Sequence, residues 1–187
     1  MQRGNNTIHI RMAVLVMAIL YYSGIAAQIS PRIQQKMDNA IAVAYETEHF
    51  TLKPVVVSAK MNKITPSEFG GDNLFAIRKE QRLIGFVYLG EAESMKRMFD
   101  YIVLFTQDWT IKKSKVLIYR ENYGQQIGSQ RWLKQFIGLT PENTLAYGTE
   151  IDAIAGATIS ASSMTNAIVD LLKSIKTLSL KNKLKIL

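Results

Sequence analysis

Small residues and hydroxyls crowd one short stretch of the chain, Asp152-Ala153-Ile154-Ala155-Gly156-Ala157-Thr158-Ile159-Ser160-Ala161-Ser162-Ser163, just ahead of an amphipathic run. A backbone with so little side-chain bulk lets a ligand approach closely. The run that follows predicts a helix, whose first N–H groups lack intrahelical acceptors and whose dipole favours negative charge. Gly156 and Ala157 leave room for a phosphate against those N–H groups. The same residues also suit a plainer role, because Ser and Thr before a helix commonly serve as caps. Both readings stand at this level.

The heptad Asp152-Ala-Ile-Ala-Gly-Ala-Thr158 resembles the flavinylation motif Asp-x-x-Ser/Thr-Gly-Ala-Thr of the FMN-binding domain family, found in the G subunit of Rnf and the C subunit of the Na⁺-translocating NADH:quinone reductase. The resemblance implies that a flavin transferase uses FAD to join FMN, through its phosphate, to the hydroxyl of Thr158. Thr158 is then a modification acceptor, not a catalyst, with Gly156, Ala157 and Ser160 beside it. Asp152 reads either as a transferase-recognition or metal-proximal residue or as a turn-stabilising carboxylate. Ala155 stands where the family usually has Ser or Thr. Upstream, Glu121-Asn-Tyr-Gly124 followed by Trp132 and the pair Gln135-Phe136 resembles the family's Glu-Thr-x-Gly loop and the residues after it. That likeness places Glu121 and Gly124 near the flavin ring, with Asn122 and Tyr123 replacing the usual Thr and Pro.

Spacing alone gives some of these residues other duties. Trp132 and Phe136 lie four apart on a predicted helix, which points to core packing. Tyr147 either stacks on a flavin or closes the domain. Taken whole, the resemblance implies an electron-transfer subunit, not a stand-alone enzyme: a membrane-anchored flavoprotein with covalent FMN that relays electrons within or to a membrane redox complex. Its expected partners are the flavin transferase during maturation, the other redox subunits and membrane lipid. The alternative is an accessory or assembly subunit without flavin, motivated by Ala155 and the altered Glu121 loop.

The elements that must position these residues are legible as hydropathy patterns. Residues 12–30 carry no charge and are rich in Ala, Val, Leu, Ile and Met, long enough to span a bilayer. They read as an uncleaved anchor, with Arg3, Arg11 and Ile25-Ala26-Ala27 supporting a cleaved signal as the rival. Either reading sends the remainder across the membrane, so a single-pass protein of the cell membrane with an extracytoplasmic domain is expected. Ser30-Pro31 is a helix start, and Ile33, Met37, Ile41, Ala44 and Tyr45 recur on one face, predicting a juxtamembrane helix to about His49. From about Val55 the runs VVVSA, LFAIR, RLIGFVYLG, YIVLFTQ and TIKKSKVLIY predict an antiparallel meander. SQRWLKQFIG, between Ser129 and Gly138, predicts one helix, and Ser160–Ser174 another. The fold class is therefore α+β. Its divisions are an N-terminal segment and transmembrane anchor (1–30), the juxtamembrane amphipathic helix (31–50) and an FMN-binding domain with a basic tail (51–187).

Composition narrows the chemistry. Without cysteine, and with only His9 and His49, thiolate metal sites, iron–sulfur clusters, cysteine nucleophiles and multi-histidine zinc sites are excluded. Redox work would have to fall to an organic cofactor. A Ser-His-Asp hydrolase would need His9 or His49, both in or near N-terminal helices. The net charge of +8 is concentrated at the ends: residues 171–187 hold five Lys and no acid, and residues 1–11 add two Arg. A nucleic-acid surface would interleave basic residues with aromatics along the strands, so that class ranks last. A basic tail near an anchor suits anionic headgroups or a solvated helix end.

Overall fold

The computed structural model describes residues 29–180 and the backbone of 185–186. Helix α1 runs Pro31–Tyr45, with proline in its first turn and the Ser30 hydroxyl accepting from the Ile33 N–H at 3.4 Å. It stops four residues short of the expected His49. Glu46 takes a left-handed conformation (φ 51°), and its N–H closes on the Ala42 carbonyl. Among the described residues no helix is long and apolar enough to cross a membrane. The anchor expected at residues 12–30 lies outside them but for its last two positions.

The predicted meander is present. Strands β1 (Thr51–Val56), β2 (Leu74–Lys79), β3 (Arg82–Glu93), β4 (Met98–Phe105) and β5 (Ile111–Ile118) pair antiparallel in sequence order. Between β1 and β2 lies a one-turn helix α2 (Ala59–Asn62), capped by the Ser58 hydroxyl accepting from the Met61 N–H. The segment SQRWLKQFIG is not one helix. A single α turn, α3 (Gln130–Leu133), gives way to a 3₁₀ turn at Lys134–Phe136, and Gly138 (φ 88°) turns the chain away. Ser129 makes no side-chain cap, so the expected N-terminal signal there is absent. The last helix, α4, is longer than expected at Thr158–Leu180, and beyond it Lys185–Ile186 (β6) joins the free edge of β1. The sheet order is β5-β4-β3-β2-β1-β6.

Alternation along the strands explains the layers. Phe75, Ile77, Val87, Ile102 and Leu104 face α1 and enclose Met37 and Ile41. The alternate set, Leu74, Ala76, Phe86, Tyr88, Tyr101, Val103 and Phe105, faces α4 and buries Met164, Ile168, Leu171 and Ile175. The central strands are apolar on both faces because each face carries a helix. A fully buried Leu or Ile in such a position contributes about 1.5–3 kcal/mol. The fold is α+β, as the periodicities require.

Candidate functional site

The turn before α4 is built from its own sequence. The Ala157 N–H donates to the Ile154 carbonyl at 3.1 Å, and Gly156 sits at the third position with φ 77°. Positive φ there, with negative φ before it, is the pattern of a type II turn and favours glycine. Ala157, buried and without a polar side chain, occupies the position where a cap would stand. Helix α4 therefore starts uncapped: among the described residues no acceptor meets the N–H groups of Thr158, Ile159 or Ser160, and the first turn holds no acid. Such an end is suited to an anion. Thr158, the first residue of the helix, is exposed.

The rest of the motif is held through its main chain. The Trp132 indole N–H donates to the Asp152 carbonyl at 2.7 Å, and the Asp152 N–H donates to the Gln135 side-chain carbonyl at 2.9 Å. The Ile154 N–H reaches the Tyr147 hydroxyl at 3.4 Å. Trp132 is in the core, as its spacing predicts, edge-on to Phe136 at 5.2 Å between centroids, yet its one polar atom serves the motif. Tyr147 likewise pins the loop. The Asp152 side chain is exposed, and among the described residues no hydrogen bond engages its carboxylate. No group of His, Asp and Glu that could hold a metal ion occurs among the described residues.

The loop after β5 comes to the motif because of strand register. Asp100 pairs with Ile118, so the turn before β4 faces the residues after β5. There one Glu121 carboxylate oxygen accepts from the Ser94 hydroxyl at 2.5 Å, the Lys96 N–H at 2.6 Å and the Arg97 N–H at 3.1 Å. The Ser94 hydroxyl, then the Lys96 N–H and the Arg97 N–H, hold the carboxyl below its ordinary range. Next to it Arg120 pairs with the buried Asp100 at 2.6 Å. Gly124 has φ 72°, and a Cβ there would stand 2.9 Å from the Tyr119 hydroxyl and 3.2 Å from the Ala157 Cβ. The loop thus rests directly on the motif, at the one residue type that fits.

Of the residues singled out by sequence, Glu121, Gly156, Ala157, Thr158 and Ser160 line one cleft of 180 Å³, with Met95, Tyr119, Tyr123 and Ile159. Gly124 forms its back through the contact with Ala157. Asp152 belongs to a different cleft, of 530 Å³, with Arg131, Lys134 and Ala155. Ser160 is buried, its hydroxyl 2.9 Å from that of Tyr119. Ser94, Tyr119 and Gln135 complete the site's hydrogen bonding. Ser94 acts on a partner 27 positions away, a relation no local motif signals.

An exposed hydroxyl beside uncapped helix N–H groups, in a turn where a Cβ on Gly156 would meet open space, fits a phosphate-bearing cofactor. Comparison with known proteins bears on which one. Residues 95–173 match the FMN-binding domain family, and no curated protein matches the chain. Those residues run from the turn before β4 through most of α4, enclosing the Glu121 loop and the Thr158 turn. Over residues 95–173, then, the chain is similar to the FMN-binding domain family.

Proposed function

We propose that this protein is a membrane-anchored electron-transfer flavoprotein carrying FMN covalently on Thr158. The observation that carries the reading is the exposed Thr158 hydroxyl at the uncapped N-terminus of α4. In the attachment step the Thr158 oxygen displaces AMP from FAD. A Thr158 O–P bond forms, the pyrophosphate P–O bond breaks with its electron pair leaving on AMP, and the hydroxyl proton is lost. The phosphodiester so formed carries a negative charge at the positive end of the helix, which stabilises it by about 0.3–1 kcal/mol. When bound, FMN supplies one- and two-electron redox chemistry.

The chain's own residues fix the acceptor. Trp132, Gln135 and Tyr147 hold the main chain of residues 152–154, and Gly124 backs Ala157. Ala155 is exposed, in the cleft of Asp152, so its missing hydroxyl leaves the turn geometry intact and bears on the transferase that must read the motif.

Anchoring is supported by the uncharged apolar run at 12–30, which leads directly into α1 at Pro31. Tethering raises the local concentration of a carrier near membrane redox subunits, and a covalent link retains the cofactor on the extracytoplasmic side. Co-expression of the full chain with a flavin transferase, followed by denaturation and in-gel flavin fluorescence, tests the reading. A fluorescent wild type and a dark T158V are expected. A dark wild type beside a flavinylated control protein refutes covalent attachment and leaves the accessory-subunit role in its place.

A further inference from the structure

Two clefts share Thr158 and Ile159 as a common lip. The larger, 600 Å³, is walled by Glu91, Glu93 and Asp170 and has no cation in its lining. A tether that is itself anionic and a ring that gains electrons are both disfavoured among three carboxylates. In the smaller cleft Glu121 is the one charged lining residue, and one of its oxygens is engaged by Ser94, Lys96 and Arg97. The remaining walls are largely apolar or aromatic.

Three of those walls are exposed in a way the fold does not use. Tyr123 is 81% exposed, Met95 70% and Ile159 53%, and they flank the Thr158 hydroxyl in one cleft. Clustered apolar exposure of this kind suits a surface that a ligand covers. The backbone that follows Tyr123 is well held. Its neighbour Gly124 is locked against Ala157 and Tyr119, and Ile127, three residues further on, is fully buried. The phenol is therefore presented to the cleft from a stem anchored on its C-terminal side.

We infer that Tyr123 stacks on the isoalloxazine ring of a flavin attached to Thr158, with Met95 and Ile159 completing the apolar seat. The inference rests on the reading of Thr158 as the flavin acceptor. A stacked phenol quenches flavin emission by lending an electron to the excited ring, and back transfer restores both groups. Phenylalanine stacks without lending the electron.

The test uses the full chain, flavinylated by the transferase, as wild type, Y123A, Y123F and Y119F. Native flavin emission is measured relative to the same sample unfolded, together with visible circular dichroism of the flavin. Losing one stacked pair shifts the seated population by about 2- to 10-fold, so Y123A raises native emission on that scale and weakens the dichroism. Y123F raises emission while keeping the dichroism. Equal in-gel flavin with unchanged emission and dichroism in Y123A and Y123F overturns the assignment, as does a rise confined to Y119F. Gels dark in every sample overturn the acceptor reading and the stacking with it.

Discussion

Replacing Gly124 with alanine probes whether the Glu121 loop and the Thr158 turn are one unit. The residue has φ 72°, and left-handed backbone costs an L residue about 1–2 kcal/mol. The new Cβ would also stand 2.9 Å from the Tyr119 hydroxyl and 3.2 Å from the Ala157 Cβ, and relieving such overpacking costs a further 1–3 kcal/mol or so. The expected total is about 2–5 kcal/mol, or roughly 4–20 °C in Tm for a chain of this length. Gly138 is the internal control: its φ is 88°, but nothing lies within 4 Å of a Cβ there. G138A should therefore lose only the backbone cost, about 1–2 kcal/mol. Urea unfolding of G124A, G138A and wild type, followed by circular dichroism, gives the comparison. Amide exchange in G124A should also accelerate at residues 154–160, across the contact, and not in G138A. Equal losses in the two variants, with exchange at 154–160 unchanged, would refute the coupling of loop to motif.

Other perturbations address the remaining supports. W132F leaves the Asp152 carbonyl without its indole donor and should destabilise the fold by about 1–3 kcal/mol, with faster amide exchange at residues 152–156 as the local readout. D100N removes the carboxylate that Arg120 meets at 2.6 Å; because the arginine is a third exposed, the loss in urea unfolding should be about 1–2 kcal/mol. For Glu121, held below its ordinary 4.5 chiefly by the Ser94 hydroxyl, the folded state binds the proton less tightly than the unfolded one. Its contribution is complete above the ordinary value and fades as pH falls through the depressed one. The gap between wild type and E121Q in urea midpoint should accordingly be wider at neutral pH than in acid. An equal gap at both would show that the charge is not what the 94–97 turn holds.

Much of the architecture was readable because hydrophobic period tracks burial. The stripe Ile33, Met37, Ile41 and the five β-rich runs fall where strand and helix form, since each buries a face against a neighbour. Errors came where local signals compete. Lys53 and Pro54 hid the start of β1, which tolerates proline because, among the described residues, its outer edge is paired at Val55 and Val56 and not at Pro54. The Trp132 segment has a helical period over ten residues, but its indole and amide are turned to the motif, and it is spent as two short turns. At the candidate site, the turn before α4 announced itself through Gly156, Ala157 and Thr158. Ser94 and Tyr119 did not, because their roles depend on strand register and not on neighbours in sequence.

The grip on the 152–154 stretch by Trp132, Gln135 and Tyr147 falls on peptide groups alone. A loop held that way is indifferent to which side chains it displays, so exchanging the exposed Asp152, Ala153 or Ala155 leaves those supports in place. On the proposed attachment at Thr158, the residues that a modifying enzyme would read can thus change without renegotiating how the domain folds.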